Sequence, residues 1–163
     1  MPKISLDEFD IKILDRLQSR GRLTNVELAE EIGLSPSPCL RRVRFLEAAG
    51  VIQGYSAKID RAKVGLGLTI FAEVKLARHS TADAEAFVQQ IQRMPEVVSC
   101  QLVSGEADYL LEIVVSDLDH YTRSVVRNFR NIEGLQSMQT RFVLEVVKRS
   151  THLPLDLLDP SSA

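Results

Sequence analysis

Three observations predict an α+β chain built in two parts. Residues 24–50, TNVELAEEIGLSPSPCLRRVRFLEAAG, read as two short helices joined by a tight turn. Gly65 and Gly67 then loosen the backbone between two compositionally distinct halves. Beyond them, strand and helix periodicities alternate as βαββαβ. The expected architecture is a winged helix-turn-helix over residues 1–60, a hinge over 61–68 and a ferredoxin-like βαββαβ sandwich domain over 69–163.

Residues 1–6 read as a short arm, and Asp7 can cap a helix running to about Arg20. Phe9, Ile13, Leu14 and Leu17 are its expected buried stripe, with Gly21 closing it. Thr24 and Glu27 stand three residues apart, the spacing of a capping box, and open the second helix. Val26, Leu28, Ala29 and Ile32 give that helix an apolar face, and Gly33 supplies the turn. Ser35 is placed to cap the third helix, with Pro36 at the first position, Pro38 still inside the first turn and Gly50 at the end. The segment VIQGYSAKID suggests two short strands turning near Gly54, a wing beside the helices.

The third helix has two chemically different faces. At about 100° per residue, Leu40, Val43 and Leu46 fall on one side and should pack inward. Ser37, Pro38, Arg41 and Phe45 fall opposite, flanked by Arg42 and Arg44. With Ser35, that outward face carries three arginines and two hydroxyls and no acid before Glu47. A helix-turn-helix sets this part of its second helix into the DNA major groove. Arginines there can grip guanine edges bidentately or hold phosphates, and helix N-terminal amides suit phosphate oxygens. An ordinary solvated charged face would carry the same arginines, but the caps, turn and apolar spacing together favour DNA. Net charge is −2 and pI about 5.9, so attraction to DNA must come from this local patch, presented twice in a dimer.

The second half opens with TIFAEVKLA, a strand with Ile70, Ala72, Val74 and Leu76 on one face and Glu73 and Lys75 on the other. Ala84, Phe87, Val88 and Ile91 repeat at helical spacing between Thr81 and Met94, and Pro95 stops the run. VVSCQLV and YLLEIVV are strands around the loop 104–108. Leu118, Tyr121, Val125, Phe129 and Ile132 mark a second helix, ended by Gly134, and MQTRFVLEVVK reads as a long last strand. Both helices cover one face of the sheet. The other face, with Phe71, calls for a second copy of the chain.

The loop SGEADY has the chemistry an α-amino acid requires. Gly105 lets backbone N–H groups face a carboxylate, and Asp108 can accept an ammonium. A plain hairpin turn would use Gly and Asp for local backbone reasons. The neighbouring strands offer Leu102, Val103, Tyr109 and Leu111, which favours an apolar side chain on the ligand. An RNA-recognition module shares the topology, but needs paired aromatics and a basic sheet that the strands do not offer clearly. His79, His120 and His152 are scattered at element ends, without a paired-carboxylate or nucleophile signature, which argues against an enzyme. Cys39 and Cys100 lack metal-ligand or redox spacing and are read as small hydrophobes. No metal and no cofactor is expected. With no signal peptide or long apolar run, neither is a membrane, and a cytoplasmic location follows.

Across nearly its whole length the chain resembles the Lrp/AsnC, or feast/famine, family of transcription factors. The match is carried by LDEFDIKIL, GRLTNVELAEEIGLSPSPCLRRVRFLE, GVIQGY, SGEADYLL and LEVVKRSTHLPL. The resemblance implies binding to double-stranded DNA by the first domain and an amino-acid effector held by the second at dimer interfaces. It also implies homodimers that assemble further, often to octamers. Residue by residue, it gives Ser35, Ser37, Pro38, Arg41, Arg42 and Arg44 the DNA role. Ser104, Gly105, Glu106, Ala107, Asp108 and Tyr109 match the effector loop, and Thr140 a polar position on the last strand near the pocket. Ala107 departs from the larger residue found there in many members. The reading from another class is an amino-acid-sensing domain whose helical unit is only a protein-interaction module.

Overall fold

The computed structural model describes residues 4–78, 80–148, 150 and 152–158. Three helices come first: α1 Glu8–Ser19, α2 Asn25–Ile32 and α3 Pro36–Ala48. A four-stranded sheet with two helical segments follows: β1 Leu68–Leu76, α4 Thr81–Ile91, β2 Val97–Leu102, β3 Tyr109–Val115, a helix α5 over residues 118–130 and β4 Leu135–Phe142. The chain divides into two compact units. One comprises the described residues of Met1–Lys58 and Lys148–Ala163, the other Ile59–Val147.

In the first unit the helix starts follow the sequence. Asp7 accepts from the Asp10 amide while the Asp10 side chain takes the Asp7 amide, and Thr24 and Glu27 do the same for α2. Gly33 ends α2 at φ +74°, a left-handed conformation that favours glycine. The core gathers Ile13, Leu14, Leu28, Ala29, Ile32, Cys39 and Leu46.

Several expected details differ. Ser35 sits at the α3 N-cap with extended backbone, but its side chain makes no capping bond. Phe9 is half-buried, whereas Asp10 of the same helix is buried. Val26 is exposed, so the α2 face narrows to Leu28, Ala29 and Ile32. On α3 the inward stripe keeps Leu46, fully buried, and Val43, half-buried against the core, but Cys39 is fully buried where Leu40 was expected and Leu40 lies 38% exposed at the edge. The two wing strands do not form over 51–60. The amides of Val51 and Ile52 both donate to the Leu46 carbonyl, at 2.9 and 3.1 Å, so they close off the end of α3 behind Gly50 instead of entering a ladder. A two-stranded ribbon by itself is marginal in water.

The residues expected to form a hinge belong to the second unit. Arg61 donates to Glu112 of β3 at 2.6 Å and to Thr69 of β1 at 3.3 Å, and the Leu66 amide closes onto the Arg61 carbonyl. The crossing between units therefore falls at 58–59, before the Gly65–Gly67 pair. The tail also departs from expectation, because residues from 148 onward group with the helical unit.

The sheet order is β2-β3-β1-β4, antiparallel throughout. Ile70, Ala72, Val74 and Leu76 of β1 and Leu111, Ile113 and Val115 of β3 face the helices, with Phe87, Ile91, Tyr121, Val125 and Phe129 completing the core. The α5 helix is π-helical over Tyr121–Val126, between α-helical turns at Leu118–His120 and Arg127–Arg130. Its core residues Tyr121, Val125 and Phe129 are spaced by four, which drifts around a helix of about 100° per residue. The wider i→i+5 turn counters that drift and keeps all three on the sheet.

Strand β4 starts earlier and stops earlier than expected. Its ladder partner β1 pairs Ile70 with Phe142, and the Val143 amide makes one more bond to Thr69 before β1 runs out. Beyond that, Leu144 and Val147 are almost fully exposed.

Candidate nucleic-acid interface and effector loop

The outward face of α3 is set by what the opposite face buries. With Cys39 and Leu46 packed inward, Ser35, Ser37, Arg41, Arg44 and Phe45 are exposed and Pro38 is half-buried. Asn25, the first residue of α2, donates from Nδ2 to the Pro36 carbonyl at 2.8 Å. That bond ties the start of α2 to the first turn of α3. Asparagine is common at helix starts for several reasons, so the sequence alone did not single it out.

Arg42 does not join this face. Its guanidinium lies 2.7 Å from Asp7 Oδ2 and 2.8 Å from Asp10 Oδ1, and 5.5 Å from the centre of the Phe9 ring. Helical spacing placed Arg42 beside Arg41, but it also places it one turn from Cys39 and Leu46, within reach of α1. Arg42 is thus engaged in holding α3 to α1. Burial pushes the Asp7 carboxyl up, yet the Asp10 amide and the Arg42 guanidinium outweigh burial and leave it below its ordinary value.

The loop between β2 and β3 is anchored by the residue expected to bind an ammonium. Asp108 Oδ2 accepts the Leu76 amide at 2.8 Å, the Asp108 amide donates to Val74 at 2.9 Å, and its carbonyl accepts from Val103 at 2.9 Å. The Leu76 bond falls where the β1–β4 register shifts, so the carboxylate satisfies a β1 amide at that irregularity. Ser104, Gly105 and Glu106 are exposed, Gly105 at φ +121°, and Ala107 is half-buried. Tyr109 is different. It is 7% exposed and packs on Phe87 with ring centres 4.7 Å apart, which makes it a core residue first.

Thr140 does not approach the loop within one chain. It pairs with Ala72, four residues back along β1 from the Leu76 amide that holds Asp108, and β1 stands between β4 and β3. Of the expected effector residues, 104–109 come together and Thr140 stands apart.

Among the described residues the remaining polar groups assemble no reaction centre. Glu96, 11% exposed, accepts from Ser124 and lies 3.5 Å from His120, which also contacts Ser116 at 3.2 Å. His152 contacts Asp15, and His79 lies outside the described residues. Burial pushes both cysteine thiols up, away from the reactive thiolate. Cys100 is nonetheless exposed, unlike the fully buried Cys39. Among the described residues no three metal-ligating side chains cluster, and no helix is long and apolar enough to cross a membrane.

Comparison with known proteins decides the family. A winged helix-turn-helix DNA-binding family matches residues 6–53, and the Lrp/AsnC ligand binding domain matches 69–153. The chain belongs to the Lrp/AsnC family. The leucine-responsive regulatory proteins of Klebsiella pneumoniae and Escherichia coli K12 are each 40% identical over 152 residues, 93% of this chain and 93% of theirs. A transcriptional regulator from Neisseria meningitidis, solved as a complex with L-Met, shares 44% identity and superposes with a TM-score of 0.88, covering 93% of this chain and 97% of that one. An AsnC family transcriptional regulator from Agrobacterium tumefaciens gives 37% identity and a TM-score of 0.88 over 94% and 100% of the two chains. This Lrp/AsnC chain is accordingly a DNA-binding transcriptional regulator with a small-molecule-binding domain, and not an enzyme.

Proposed function

We propose that this regulator reads its operator with the outward face of α3 and responds to an amino acid held at the β2–β3 loop of a dimer. The carrying observation is the division of α3 into a fully buried side, Cys39 and Leu46, and an exposed side bearing Ser37, Arg41 and Arg44. Arg41 and Arg44 supply base-edge or phosphate contacts, and Ser35, Ser37 and Pro38 present the helix start to the backbone. Arg42 acts as a positioning residue through Asp7 and Asp10.

The effector reading rests on the exposed Gly105 backbone and on the L-Met bound by the Neisseria relative. A zwitterion fits a loop that offers backbone N–H groups and a carboxylate, and the apolar residues around it favour methionine or leucine over lysine. Because Thr140 lies across β1 from the loop, a second copy must bring it there. Dimers are therefore the minimal complete site, and their further assembly to octamers in the cytoplasm is part of the proposal.

The test is a gel shift on the protein's own promoter with increasing salt, repeated with L-methionine and L-lysine. Specific retardation that methionine alters and lysine does not supports the reading. Retardation no better than on scrambled DNA rejects it.

A further inference from the structure

The tail over residues 152–158 is used by neither α3 nor the effector loop, yet α1 holds it closely. Gln18 Nε2 donates to the Leu153 carbonyl at 3.3 Å, and the Leu153 amide donates to Gln18 Oε1 at 2.6 Å. One side-chain amide thus satisfies both main-chain groups of a single tail residue. One turn back along α1, Asp15 Oδ1 lies 3.0 Å from His152 Nε2. Leu155 packs against the first unit's core, in a groove lined by Ile11, Asp15, Arg16, Glu31 and Ile32. A short turn at Leu155–Leu157 keeps that leucine presented, with the Leu158 amide bonded to the Leu155 carbonyl at 3.0 Å.

We propose that this face of α1 and α2 is a peptide-docking surface whose ligand is the chain's own His152-Leu153-Pro154-Leu155 segment. The recognition is specific in type. A glutamine reads the main chain, a carboxylate meets the histidine, and a groove of Ile11 and Ile32 bordered by charged side chains takes the second leucine. These contacts are few and sit at the surface, so a free peptide would bind weakly. Delivery by the covalent chain supplies the high effective concentration that makes them sufficient. The chain leaves the first unit at 58 and returns to it at 148.

Docking also reaches the DNA-reading helix. The half of α1 that grips the tail, Asp15 and Gln18, is continuous with the end where Asp7 and Asp10 hold Arg42 of α3. The tail therefore acts on α3 through α1 as a strap, a positioning role and not a contact with DNA. This last step rests on the DNA-reading role proposed for α3.

Amide exchange on the full-length protein tests the strap, with operator affinity measured in parallel. In the wild type the Leu153 amide should exchange far more slowly than in a synthetic peptide of residues 148–158. Gln18→Ala should remove about tenfold of that protection, the scale of one to two lost hydrogen bonds. It should also weaken operator binding severalfold. Leu155→Ser should loosen the whole segment and have the same effect on DNA. Leu144→Ser, at an almost fully exposed position before the tail, should change neither reading. A wild-type Leu153 amide as fast as the peptide's overturns the docking surface. Lost protection with unchanged operator affinity overturns the strap. The exchange measurement needs no DNA, so failure of the operator reading itself would be seen separately.

Discussion

Arg42 of α3 stands 2.8 Å from Asp10 of α1, a carboxylate only 5% exposed. Removing the guanidinium leaves that buried charge without its strongest partner. Arg42→Ala should therefore destabilise the protein by about 1.5–3 kcal/mol, the range for hydrogen bonds to charged groups. Arg41→Ala, one residue earlier and fully outward, should stay within roughly 0.5 kcal/mol of wild type. Denaturant titration of both variants checks the contrast, and equal losses would place both arginines in the same role.

The same bridge gives an acid limb to stability. Asp7 is held below its ordinary value in the folded state, so its contribution is present above that value, about 4 for a free aspartate, and is lost as pH falls through the lower folded one. Thermal unfolding from pH 7 to pH 2 should show Asp7→Asn with a shallower decline than wild type. Parallel curves would mean that Asp7 contributes nothing to the acid response.

At Asp108 the observed anchoring of the loop can be separated from the ammonium contact proposed for it. Asparagine keeps a carbonyl oxygen to accept the Leu76 amide but loses the charge, whereas alanine loses both. Asp108→Ala should cost about 1 kcal/mol of stability, with Asp108→Asn closer to wild type. Both should bind L-methionine more weakly by calorimetry, because a charge-assisted bond is roughly twice as strong as a neutral one. Full methionine affinity in Asp108→Asn would restrict this residue to anchoring the loop.

The second unit should associate by itself when cut where its contacts end. A fragment of residues 59–147 keeps Arg61 on Glu112 and Thr69, and leaves Phe71, Val98 and Leu102 exposed for a partner. Sedimentation should show at least a dimer at micromolar concentration. A stable monomer would contradict the need for a second copy.

The parts legible in the sequence were those fixed by short-range chemistry. The cap at Asp7, the capping box at Thr24, the turn at Gly33 and the alternation Ile70-Ala72-Val74-Leu76 each follow from residues along one segment. What was missed depends on partners far away in sequence. Nothing near Arg42 announces Asp7 and Asp10, and nothing near Arg61 announces Glu112. The length of β4 is set by where β1 begins, and its own β-rich residues to 148 gave no hint of that limit. No ladder forms over 51–60 within this chain, where the amides of Val51 and Ile52 instead reach the Leu46 carbonyl. In the effector loop, Gly105 could be read from its neighbours, but the anchoring of Asp108 could not, since its acceptor role is defined by a β1 amide thirty-two residues earlier.

The outward face of α3 is tested most directly by fluorescence anisotropy on a promoter duplex and a scrambled duplex of equal length, at two salt concentrations, with wild type and Arg41→Ala. The wild type should prefer the promoter and weaken as salt rises, because phosphate contacts release counterions. Arg41→Ala should lose about 1–3 kcal/mol of that preference while remaining folded. Equal affinity of the wild type for both duplexes, or an unchanged preference in Arg41→Ala, would contradict the account.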